Sequence, residues 1–196
     1  AVAVARGGVG SSHGAIALGA YAAGITNAGH ISAITEADDA LAVGSLANSF
    51  YGDALLQNSG VIRAVASGDI ANASGAIVLG YNGVEVDNAG TIVAAAYGAD
   101  ATATAVSMES NGSNVLTNTG TIGAFGDGTR IAISSASGTT SIVNHGSLIG
   151  AVVTGDLDDS LHNAAGALWH AVGNSDFGAG DDHIVNHGTI FMDDAV

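Results

Sequence analysis

Apolar and polar positions along the chain alternate with a period of two, and the three-to-four spacing of an amphipathic helix is missing. The segments AIALG (15–19), ALAVG (40–44), AIVLG (76–80), TAVSM (104–108) and RIAIS (130–134) each set apolar against small or polar residues on an extended backbone. That alternation is a strand signal. Between these segments a second pattern, apolar-x-Asn-x-Gly-x-Ile, returns seven times, once degenerate. Its copies are ITNAGHISA, LQNSGVIRA, VDNAGTIVA, LTNTGTIGA, IVNHGSLIG, LHNAAGALW and IVNHGTIFM, and their asparagines are Asn27, Asn58, Asn88, Asn118, Asn144, Asn163 and Asn186. A repeat of this length is the mark of a stacked architecture, in which one unit cannot bury its own apolar side and its neighbours do so.

One repeat therefore reads as a strand ending at the Asn-x-Gly corner, a strand carrying the Ile, and a further alternating strand. The expected fold is all-β: a parallel β-solenoid of about seven three-strand rungs. With rungs ~4.8 Å apart, that makes a rod about 35 Å long. A single domain spans 1–196, with 1–24 a partial first rung, 25–141 long rungs and 142–196 short acidic rungs. The seven asparagines are expected to stack as an internal amide ladder; an outward row of amides for a sugar or ice surface is the competing role. The Gly two residues later is expected to supply a positive φ at the corner. The Ile or Leu two residues beyond that Gly should point inward.

Composition agrees with this picture. Glycine numbers 30, proline and cysteine are absent, and there are only three permanent cations, Arg6, Arg63 and Arg130. Proline would remove a ladder hydrogen bond from an interior strand. A net charge of −15 argues against nucleic acid or an anionic membrane surface as partner, since both call for a basic footprint. No apolar run approaches the ~18 residues of a membrane-spanning helix. Eight aspartates and no Lys or Arg fall in 151–196, so the last quarter holds about half of the charge.

Tandem Asn-x-Gly-x-Ile repeats in an Ala/Gly/Thr-rich, cysteine-free chain resemble the passenger domains of bacterial autotransporters (type V secretion) and related surface adhesins. The segments VTGDLDDSLHNAAG (153–166) and DFGAGDDHIVNHGTI (176–190) resemble that family's acidic glycine turn followed by the Asn-x-Gly strand. The resemblance covers nearly the whole chain. It implies a right-handed parallel β-helix, displayed or released outside a Gram-negative cell, and adhesive or self-associating. No signal segment or C-terminal membrane-barrel pattern is visible, so a passenger fragment or a stand-alone secreted solenoid is expected.

Candidate chemistry is sparse. GAGDDHI (178–184) fits the core of the calcium-binding nonapeptide of parallel β-rolls, and GDLDDSL (155–161) matches it with Leu157 in place of the second Gly. Asp158, Asp159, Asp181 and Asp182 are thus the candidate calcium ligands, hard oxygens from adjacent turns; no other cofactor is expected. A solvated acidic turn is the alternative. His145 and His187 take the same repeat position, two rungs and about 9–10 Å apart, too far to share an ion; His162, His170 and His183 lie nearby. The five are read as outward residues. GSSHG (10–14) fits G-x-S-x-G formally but lacks the helix that a nucleophile elbow needs. The carboxylate neighbours Asp38/Asp39 and Asp193/Asp194 point to opposite sides of a strand. Trp169 is the only tryptophan, and no aromatic-rich groove is expected.

The function expected is that of a non-enzymatic secreted structural or adhesive solenoid on the bacterial cell surface. Its expected partners are further copies, end to end or side by side, or a host or cell-surface receptor or glycan. The alternatives are a carbohydrate-active β-helix enzyme and a calcium-stabilised secreted module.

Overall fold

The computed structural model describes residues 1–193, and among these the chain forms nineteen strands and no helix. Seven parallel strands make the first side: Ala22–Asn27, Asp53–Asn58, Gly83–Asn88, Ser113–Asn118, Thr139–Asn144, Ser160–Asn163 and His183–Asn186. A twelve-stranded sheet wraps the other two sides. Its strand His30–Ser49 runs through both, pairing with Val61–Ser67 over residues 30–36 and with Ile70–Gly80 over residues 39–49. Later turns break this path into two shorter strands, for example Thr91–Tyr97 and Asp100–Glu109.

The architecture is a parallel β-solenoid of about five turns, fewer than the seven expected from the repeat count. Five first-side strands, beginning at Ala22, Asp53, Gly83, Ser113 and Thr139, lead into both further sides. Among the described residues the last two lead only into Leu168–Val172 and Thr189–Asp193, and on the third side the single bridge Val153–Asp176 stands in for a strand pair. Counting asparagines counts first-side strands. It overcounts complete turns because, among the described residues, the third side has no strand after Ala151–Val153.

Burial explains the stack. One aliphatic column on the first side runs Ile25, Leu56, Val86, Leu116, Ile142 and Leu161. A second runs through Ile31, Ile62, Ile92, Ile122 and Leu148, each two residues beyond its corner glycine, and on to Trp169, three beyond Gly166. Trp169 fits the narrowing interior by donating its indole N–H to the Gly150 carbonyl at 3.1 Å. A separate core of alanines alone, including Ala33, Ala64, Ala94 and Ala124, lets the second and third sides approach closely.

The third-side segments matched by sequence are not all neighbours. Residues 15–19 pair with 45–49, which in turn pair with 76–80, so ALAVG (40–44) sits five residues out of step. The inward face changes phase at Val43–Ser45, with Ala40 and Ala42 buried before it and Ala47 and Ser49 after it, so a slip of odd length still matches apolar to apolar.

The corner glycines also act differently from expectation. None of Gly29, Gly60, Gly90, Gly120, Gly146 and Gly188 has a positive φ. Their role is close approach along the stack: a Cβ on Gly60, Gly90, Gly120 or Gly146 would meet the carbonyl oxygen of the glycine one turn away at 2.0–2.1 Å. Gly29, on the first turn, would meet nothing within 4 Å.

Candidate functional site

The asparagines form one column. Each Nδ2 donates to the Oδ1 of the next, from Asn27 through Asn58, Asn88, Asn118, Asn144 and Asn163 to Asn186, at 2.7–2.8 Å. The same Nδ2 reaches the corner carbonyls, as Asn88 does to Gly90 and Thr121, both at 3.2 Å. Asn27 to Asn163 are buried and Asn186 is exposed, so six of these amides are closed to any external surface. At Asn163 the corner is two residues longer, and a local Ala167 N–H to Ala164 carbonyl bond with Gly166 at φ 84° absorbs them.

The acidic segments stack turn on turn. Asp158 Oδ1 accepts the Asp181 amide and Asp182 Oδ1 accepts the Asp159 amide, both at 2.9 Å. Asp159 lies inside, 2 % exposed. Its Oδ1 accepts the Thr140 amide at 2.6 Å, and its Oδ2 has no partner among the described residues. Among the described residues no three His, Cys, Asp or Glu side chains converge as a metal set.

Histidines meet across turns where their repeat equivalents do not. The His162 Nε2 lies 3.2 Å from the His187 Nδ1, with the rings edge to face. His170 Nε2 lies 2.8 Å from Asp193 Oδ2 and packs on Phe191. Asp194 lies outside the described residues. Residues 10–14 lie mid-strand, with the Ser12 hydroxyl bonded to that of Thr35 at 2.8 Å.

An aromatic column was missed in the sequence. Tyr21, Tyr51 and Tyr81 occupy the outer corner where the third side meets the first, 77 %, 64 % and 54 % exposed. Backbone bonds from Tyr51 to Ala20 and from Tyr81 to Gly52 place them on successive turns. Tyr21 and Tyr51 have ring centroids 5.8 Å apart. Beside Tyr81 runs an open groove lined by Phe50, Asn48, Glu109, Asn111 and Ser110. The Ser110 hydroxyl is buried with no partner among the described residues. The tyrosine spacing, equal to the repeat, was the available signal.

Comparison with protein-family models, curated proteins and solved structures finds no match to this chain. Function therefore rests on the geometry of these columns.

Proposed function

We propose that the chain is a non-enzymatic, extracellular adhesive or structural solenoid, a passenger segment of the autotransporter kind, that binds a cell-surface glycan or receptor along one corner. The observation that carries this reading is the column Tyr21–Tyr51–Tyr81 with its groove. A solvent-facing tyrosine is a flat apolar platform with a polar tip, suited to stacking against sugar rings or receptor side chains. Turns ~4.8 Å apart repeat that platform at about the length of one sugar unit. The Asn48, Asn111 and Glu109 side chains lie within reach for hydroxyl groups.

The test is binding to an array of glycans and to intact cell surfaces, with the triple variant Tyr21→Ala, Tyr51→Ala, Tyr81→Ala beside the parent. The expected result is saturable binding by the parent, at least tenfold weaker binding by the variant, and equal melting temperatures. Equal binding by both chains overturns the corner as the contact. Turnover of any member of a polysaccharide panel overturns the non-enzymatic reading.

A second reading, a calcium-stabilised module, is favoured by Asp159, whose inward carboxylate has a free oxygen beside stacked acidic turns. A melting temperature that ignores both calcium and chelator ends it.

A further inference from the structure

We propose that His162 and His187 form a two-imidazole site for a divalent transition-metal ion such as Zn²⁺, Ni²⁺ or Cu²⁺. The proposal is independent of the adhesive reading. The two ring nitrogens stand 3.2 Å apart on adjacent turns. Two imidazoles bound to one tetrahedral ion at ~2.0–2.1 Å have nitrogens about 3.3 Å apart, so the nitrogen separation already matches and the rings need only turn about their side-chain bonds to aim both lone pairs at the ion. Without metal, one nitrogen donates an N–H to the other. With metal bound, that proton moves to the far nitrogen of its own ring, leaving both lone pairs for the ion.

The backbone fixes this geometry in advance. His162 directly precedes Asn163 and His187 directly follows Asn186, and those amides bond each other at 2.8 Å. The His187 N–H itself donates to the Asn163 carbonyl at 2.8 Å. Both imidazoles thus flank one amide–amide bond of the ladder, and little backbone freedom remains to be lost on binding. The pair is open to solvent, which gives an ion a path in. The surrounding charge is favourable, since 151–196 carries aspartates and no Lys or Arg.

Among the described residues no third His, Asp or Glu joins the pair. The remaining positions on the ion fall to water or to a donor from another molecule. Imidazole donors select borderline metals over Ca²⁺ and Mg²⁺. Protons compete for the same lone pairs, so affinity falls as the solution is acidified.

The test is calorimetric titration of the untagged, chelator-washed chain with Zn²⁺ and Ni²⁺ near neutral pH. His162→Gln, His187→Gln and His145→Gln run in parallel, each first checked for an unchanged melting curve. The expected result is one saturable site, weakened at least tenfold by either His162→Gln or His187→Gln, unaffected by His145→Gln, and not displaced by excess Ca²⁺. Co²⁺ bound at the site should give visible d–d bands that both single variants abolish. Absence of a saturable site, or equal affinity in the parent and either single variant, overturns the proposal and leaves the pair as a hydrogen bond.

Discussion

Asn88 donates through Nδ2 to Asn118 Oδ1 at 2.8 Å while its own Oδ1 accepts from Asn58 at 2.7 Å. It is thus one link in a chain of amides sealed inside the rod. Replacing Asn88 by Ala strips Asn58 Nδ2 of its ladder acceptor and Asn118 Oδ1 of its ladder donor, while the Gly90 carbonyl keeps the Thr121 amide. Each buried group left unpaired costs about 1–3 kcal/mol, so a loss of about 2–3 kcal/mol is expected in denaturant unfolding. Asn186→Ala, at the exposed end of the column, should cost less than ~1 kcal/mol. Equal losses at the two positions would refute the ladder as a buried device.

Gly90→Ala tests why the corners need glycine. A Cβ there would lie 2.1 Å from the Gly60 carbonyl oxygen and 2.7 Å from the Ser59 carbonyl carbon. The expected cost is about 3 kcal/mol, the upper end of overpacking penalties. Gly29→Ala keeps the same backbone conformation with open space around it and should be near neutral. Thermal melts of the two variants separate close approach from φ freedom directly.

These two positions also mark what could be read in the chain beforehand. Asparagine stands out chemically in a background of Ala, Ser, Thr and Gly, so its recurrence set the register of the first side. The corner glycine was visible as a requirement, but its cause was not. Contact between glycines thirty residues apart exists only once the turns stack. The third side was mis-registered because the alternation changes phase at Val43–Ser45, so ALAVG and AIALG match as sequences while occupying different stretches of the strand path. The His162–His187 pair escaped because like was compared with like: His145 and His187 are repeat equivalents, whereas the pair that meets is diagonal across one turn. The tyrosines were legible through their spacing of 30 residues, but only stacking of the turns brings them to one corner.

Leu116→Ala removes a fully buried link of the first-side aliphatic column. Columns of neighbouring turns are held by strand pairing on both sides and collapse poorly into a void. A loss of about 2–5 kcal/mol is expected. Its sequence neighbour Val115 points outward, and Val115→Ala should change stability by no more than ~0.5 kcal/mol. Chemical denaturation of both variants checks the alternation at one strand.

Asp159→Asn keeps an oxygen to accept the Thr140 amide and removes a charge from the interior. In chelator its melting temperature is expected at or above that of the parent, because an unpaired buried charge is costlier than a buried amide. Asp159→Ala orphans the Thr140 N–H and should lose about 1–3 kcal/mol. If calcium occupies the acidic turns, it raises the melting temperature of the parent and leaves that of Asp159→Asn unmoved. A parent that melts identically in calcium and chelator removes the ion from the account.

Successive ladder asparagines are separated by 31, 30, 30, 26, 19 and 23 residues, yet every amide bond between them is 2.7–2.8 Å. Each asparagine resets the winding, so a length error in one circuit is forgotten by the next. Excising residues 59–88 would join Asn58 to Ala89 and leave every column continuous, one circuit shorter. Recombination within such a gene can therefore trim or extend the rod without damaging its cross-section. How far the molecule reaches is then set by copy number, while what it touches is set by the few outward side chains each copy carries.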